Sequence, residues 1–142
     1  MADMAKAGEI RYEVHYLPVF PVTASAIFAV QCAGEQGYWW AMHSRILEDQ
    51  TRGIRAVQTL DDLDALLARY AEELGLDMAA YRQCLASEEK VQGYIDWVNE
   101  QIATAQDLGI RGTPTFVING EPVEMDSFDD ILKAVREELS RE

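Results

Sequence analysis

Cys32 and Cys84 are the two sulfur nucleophiles of the sequence, and they lie 52 positions apart. Thiol–disulfide exchange runs on a low-pKa thiolate with a second cysteine close by, most often in a CxxC pair. Neither cysteine has such a neighbour. A hydrolytic cysteine needs a histidine to take its proton, and no recognised motif places His15 or His43 beside either sulfur. These four residues are the right types for zinc, but their spacing matches no zinc pattern, so no metal is expected. The acidic pairs Asp61-Asp62, Glu88-Glu89 and Asp129-Asp130 fall in the first turns of expected helices. Carboxylates there complement the helix dipole, which accounts for them without catalysis. No phosphate-binding glycine loop, GxSxG elbow or metalloprotease motif occurs, and no cofactor is implied. The remaining candidate is Gly112-Thr113-Pro114-Thr115. A cis bond costs little before proline and makes a tight, rigid loop. Taken alone, Pro114 reads as an ordinary trans proline opening a strand.

The elements that would position these residues follow from periodicity. Ile10, Tyr12, Val14 and Tyr16 alternate with Arg11, Glu13 and His15, the pattern of a strand over Ile10 to Leu17, ended by Pro18 and Pro21. A small-residue apolar helix is expected over Thr23 to Glu35, and a second, with an aromatic start, over Tyr38 to Leu47. Gln50 to Gln58 reads as a loop. Thr59 and Asp62 form a capping box for a helix whose Leu63, Leu66, Leu67, Tyr70 and Leu74 share one face, with Gly75 beyond its end. Asp77 caps a short helix through Leu85, and Ser87 caps a long one stopped by Gly109. In the long helix Val91, Tyr94, Ile95, Val98 and Ile102 recur every three or four residues. Thr115 to Ile118 and Glu121 to Glu124 flank Asn119-Gly120, a strong hairpin signal because both centres of a type I′ turn need positive φ. Pro122 makes the return strand an edge. A closing helix buries Phe128, Ile131, Leu132, Val135 and Leu139. Trp39, Trp40, Tyr94 and Trp97 read as core or partly exposed aromatics, with a peptide groove as the alternative.

Of 142 residues, 49% are hydrophobic and 26% charged, enough for a packed core in one domain. No apolar run is long enough to span a membrane. Met1 to Gly8 is not a secretion signal. The net charge of −13, from 25 acidic and 12 basic residues, speaks first to solubility. It disfavours nucleic acid and anionic membrane surfaces as partners.

Three stretches together resemble one family. CAGEQGYWWAMH (Cys32 to His43), YAEELGLDMAAYRQCLAS (Tyr70 to Ser87) and LGIRGTPTFVING (Leu108 to Gly120) are similar, in this order and spacing, to DsbA-like thioredoxin-fold proteins, which are thiol:disulfide oxidoreductases. The resemblance runs from about Gly8 onward, and GTPTFVING is its most specific part. It implies an α/β fold, a thioredoxin-like sheet with a helical insert at about 23–108, in a single domain over 1–142. It also implies that the first βα unit with its CxxC is lacking, so that the domain is incomplete at the N-terminus. Met4 to Gly8 then corresponds to the end of the CxxC helix, and Ile10 to Leu17 to the family's second strand. Thr113-Pro114 is expected to be cis, and the Thr113 backbone to pair with a bound peptide as an added strand. Cys32 and Cys84 occupy positions where related sequences often carry cysteine. They form either a structural disulfide between the first helix and the insert, or two buried free thiols.

Without the central strand, two strands would lose a neighbour and expose unpaired backbone groups. The strands then pair directly, or a second copy fills the gap in a homodimer, or a complementing segment lies elsewhere. The homodimer is the reading carried forward. The implied function is that of a DsbA-family oxidoreductase-like protein inactive in dithiol exchange by itself, acting on peptide or protein thiol substrates. The alternative is a non-catalytic peptide-binding or oligomeric module. A third, glutathione-dependent chemistry, needs a nucleophile outside these residues. The compartment is not fixed, although the family is often extracytoplasmic.

Overall fold

The computed structural model describes residues 1–18 and 22–141, and Pro21 lies outside them. It divides into two compact units, one of Met1–Leu17 with Glu100–Glu142, the other of Pro18–Asn99.

The second unit is helical. It holds α1 (Val22–Gly34), α2 (Trp39–Glu48), α3 (Leu60–Glu73), α4 (Met78–Ala86) and most of α5 (Glu88–Asp107), with a 3₁₀ turn at Ile54–Ala56 in the expected loop. The ends are set by local chemistry. The Thr59 hydroxyl oxygen accepts from the Asp62 N–H at 3.1 Å and donates to the Asp62 carboxylate at 2.7 Å. The Asp77 carboxylate accepts from the N–H groups of Ala79 and Ala80 at 2.9 and 3.1 Å. Gly75, at φ +82°, closes α3. Its N–H donates to Glu72 O and the Leu76 N–H to Ala71 O, which satisfies two carbonyls a helix end would leave orphaned.

The core of this unit joins Ala29, Val30, Cys32 and Ala33 of α1 with Met42, Leu63, Leu66, Leu67, Tyr70, Tyr81 and Cys84. Alanines on the buried face of α1 let α2, α3 and α4 approach it closely. Gly34 continues that stripe, and a Cβ there would stand 3.0 Å from Trp39 Cδ1. Tyr70 is fully buried, donates its hydroxyl to Asp49 at 2.5 Å, and carries the Arg45 guanidinium 4.1 Å above its ring. Gly53 lies against this pair. A Cβ on it would meet the Asp49 carboxylate and come within 2.5 Å of the Tyr70 hydroxyl.

The first unit holds a short helix at Ala2–Lys6, the end of α5, a hairpin of β1 (Phe116–Ile118) and β2 (Glu121–Val123), and α6 (Phe128–Leu139). Asn119 and Gly120 have φ of +49° and +89°, as the turn requires. The antiparallel register pairs Phe116 with Val123, Val117 with Pro122 and Ile118 with Glu121. Pro122 has no N–H, so Val117–Pro122 is the non-hydrogen-bonded pair of the alternation. The Val117 N–H and C=O therefore face away from β2.

Two sequence expectations are corrected here. Ile10 to Leu17 forms no strand. Among the described residues the sheet has two strands only, and the Tyr16 N–H donates to the Gln101 side chain at 2.7 Å instead of to a ladder. Alternation prepares a strand, but a strand exists only where a partner offers hydrogen bonds. Phe128 is 57% exposed rather than buried, while Ile131 and Val135 of the same helix are buried. It is the first residue of α6, with its ring edge-on to Phe116 at 5.8 Å and its other flank open.

Candidate functional site

The Gly112–Thr115 segment enters β1 directly. The Thr113–Pro114 bond is cis. Thr113, Pro114 and Thr115 are exposed, and Gly112 is half-buried. The Thr115 hydroxyl donates to Gly112 O at 2.7 Å, tying the two ends of the loop together. Phe116 then anchors the hairpin on Phe128. α6 is held at its start by Asp130, whose carboxylate accepts from the Ser127 N–H at 2.8 Å and the Ser127 hydroxyl at 2.9 Å. These bonds hold the Asp130 carboxyl below the usual range. The loop thus presents exposed backbone ahead of a strand that, among the described residues, pairs on one side only.

The sulfur chemistry lies in the helical unit. Cys32 and Cys84 form a disulfide between α1 and α4, with Cα atoms 5.8 Å apart. Both residues are buried. Of the two alternatives left open by the sequence, the structure has the disulfide, and no free thiol remains.

Beside it stands a polar cluster that no motif announced. The Tyr94 hydroxyl lies 3.6 Å from Cys84 Sγ and donates to Glu35 Oε1 at 2.8 Å. Glu35 is also paired with Lys90. The hydrogen bonds from Lys90 and then from Tyr94 hold the Glu35 carboxyl below its ordinary value. Burial, and then the Glu35 carboxylate, push the Tyr94 hydroxyl up to about 12. Phe28 stacks on the Tyr94 ring at 6.2 Å. Glu35 and Lys90 are 55 positions apart, so only the fold brings them together.

His43 stacks on Trp39 at 4.9 Å and meets Trp40 edge-on at 6.1 Å. Burial lowers its pKa. Among the described residues no three histidine, cysteine or carboxylate side chains converge on a metal position.

The family model of the DSBA-like thioredoxin domain matches residues 1–136. The chain is 38% identical over 116 residues to "Na(+)/H(+) antiporter NhaA 3" of Salinispora tropica, covering 78% of this chain and 16% of that protein. It is 34% identical over 114 residues to "Na(+)/H(+) antiporter NhaA 1" of Salinispora arenicola, again 78% and 16%. The chain therefore spans about a sixth of the length of these curated relatives. No described helix is long and apolar enough to cross a membrane. No solved structure matches.

Proposed function

The chain belongs to the DSBA-like thioredoxin domain family, and from that premise we propose that it serves as the peptide-docking part of a thiol:disulfide oxidoreductase-like fold, without dithiol turnover of its own. The observation that carries the reading is the exposed Gly112–Thr115 loop running into the open edge of β1. An extended peptide adds to such an edge through main-chain hydrogen bonds. The Thr113 backbone and the outward N–H and C=O of Val117 are the groups it would meet. The reading that turnover is absent is supported by the cysteines: the sequence has no CxxC, and both of its thiols are spent in a buried disulfide. On this reading residues of about 23–108 are the helical insert of one domain. Peptide or protein thiols are the substrate class that docks, and any nucleophilic thiolate is supplied by another segment or protein.

Two assays test it. Insulin reduction by the isolated chain is expected to stay at the level of the thiol reductant alone, and enzyme-like acceleration refutes the reading. Fluorescence anisotropy of labelled, extended cysteine-containing peptides is expected to show saturable binding. Val117→Pro should abolish that binding, since it removes the outward N–H and leaves the β1–β2 bonds intact. Binding unchanged in this variant places docking elsewhere.

A second reading rests on the same open edge: a second copy of the chain pairs with β1 in a homodimer. Light scattering separates the two readings, since a concentration-independent dimer that binds no peptide favours the second.

A further inference from the structure

The two sulfurs of the disulfide are not equivalent. Cys84 Sγ faces the Tyr94 hydroxyl at 3.6 Å, and among the described residues Cys32 Sγ has no such hydrogen-bonding neighbour. In the disulfide that hydroxyl has one hydrogen, and the Glu35 carboxylate takes it at 2.8 Å. A disulfide sulfur is a weak acceptor and does not compete. A thiolate does compete, because hydrogen bonds to an ionised acceptor are the strong ones. Lys90, already paired with Glu35, can compensate the carboxylate when the hydroxyl turns away. The Tyr94 proton is available for this, since the hydroxyl stays protonated throughout the range in which thiolates form.

From this geometry we propose that Tyr94, whose proton the Glu35 carboxylate holds until a thiolate competes for it, makes Cys84 the leaving sulfur when the disulfide is reduced by an external thiol, so that the bond opens in one direction. Tyr94 is a positioning residue. Both cysteines are buried, so a reductant reaches them when the helical unit opens locally; its thiolate attacks Cys32 Sγ, a new S–S bond forms there, and the Cys32–Cys84 bond breaks with its electron pair going to Cys84. Tyr94 donates to that thiolate, which then takes a proton from solvent. A second thiol of the reductant displaces Cys32 from the mixed disulfide. The net change is two electrons and two protons from a dithiol to the two cysteines. Exchange is faster when the leaving thiol is better stabilised. The inference is independent of peptide docking, which concerns the other unit.

The unaltered chain supplies the first test. Brief treatment with glutathione, acid quenching and peptide mapping by mass spectrometry should find the adduct on Cys32, whereas an adduct mainly on Cys84 overturns the proposal. Dithiothreitol reduction of Tyr94→Phe, which keeps the ring against Phe28, should be slower by about tenfold and lose the adduct bias. Glu35→Gln, which removes the competing carboxylate, should be reduced faster than the unaltered chain. Simple loosening would accelerate both variants. Tyr94→Phe reduced at the same or a greater rate, or Glu35→Gln reduced more slowly, refutes the role of the hydroxyl.

Discussion

Cutting the Cys32–Cys84 bond should remove a large share of the stability of the helical unit. The bond closes a loop between residues 52 positions apart. In the chain-entropy model a loop of this size costs the unfolded ensemble about 14 cal/mol/K, which is about 4 kcal/mol at room temperature. Native single domains hold only about 5–15 kcal/mol in total. Both cysteines are buried among Ala29, Val30, Leu67 and Tyr81, so the double variant Cys32→Ala, Cys84→Ala leaves small apolar groups in a packed core. Its native contacts change little compared with its unfolded state. The assay is urea unfolding followed by circular dichroism, comparing the double variant with the unaltered chain. The midpoint should fall, and the slope should rise because the uncrosslinked unfolded chain exposes more surface. A loss of under about 1 kcal/mol would refute the argument that the bond acts by restricting the unfolded chain.

Three further outcomes are expected. Gly53→Ala should destabilise by about 1–3 kcal/mol in the same urea assay, because its Cβ would displace the Tyr70–Asp49 hydrogen bond, and a neutral result would show that this corner yields. Tyr70, Tyr81 and Tyr94 are each pushed up to about 12, first by burial and then by Asp49, Asp64 and Glu35 respectively. Their folded values lie above the unfolded value of 10.0, so the folded state binds more protons in that interval. Stability should therefore be intact below pH of about 10 and fall as pH rises toward about 12, with tyrosinate absorbance at 295 nm appearing together with loss of helical circular dichroism. Tyrosinate forming fully ahead of unfolding would contradict this. Ile131→Ala, at a fully buried position of α6, should cost about 2–5 kcal/mol in urea unfolding, and a change below about 0.5 kcal/mol would mean that α6 packs on nothing rigid.

Much of the local structure was legible because its causes are local. Thr59, Asp77 and Ser87 announce helix starts through oxygens that satisfy nearby N–H groups, and Asn119-Gly120 announces the hairpin through φ. The loop before β1 was legible from GTPTFVING, a contiguous motif. What was not legible depends on distant pairing. Alternation in Ile10 to Leu17 could be read, but whether a neighbouring strand accepts it could not. The cysteines could be counted, but their bonding depends on α1 and α4 lying side by side. Glu35 and Lys90 carry no signal, since an ordinary helix surface would use the same residues, and Tyr94 read only as an aromatic on the apolar face of its helix. Phe128 fitted the apolar spacing of α6, but spacing does not reveal that the first turn overhangs the core.

Pro122 has a consequence for growth of the sheet. As the partner of Val117 in the non-hydrogen-bonded pair, its backbone faces outward from β2, and there it has no N–H to give. Among the described residues the three-residue ribbon is thus open on one side and stoppered on the other. A strand that joins it joins at β1. Two copies meeting edge to edge through β1 would close on each other and present two stoppered sides, so the pairing ends at two. The same proline that makes β2 an edge also keeps the ribbon from becoming the seed of a fibre.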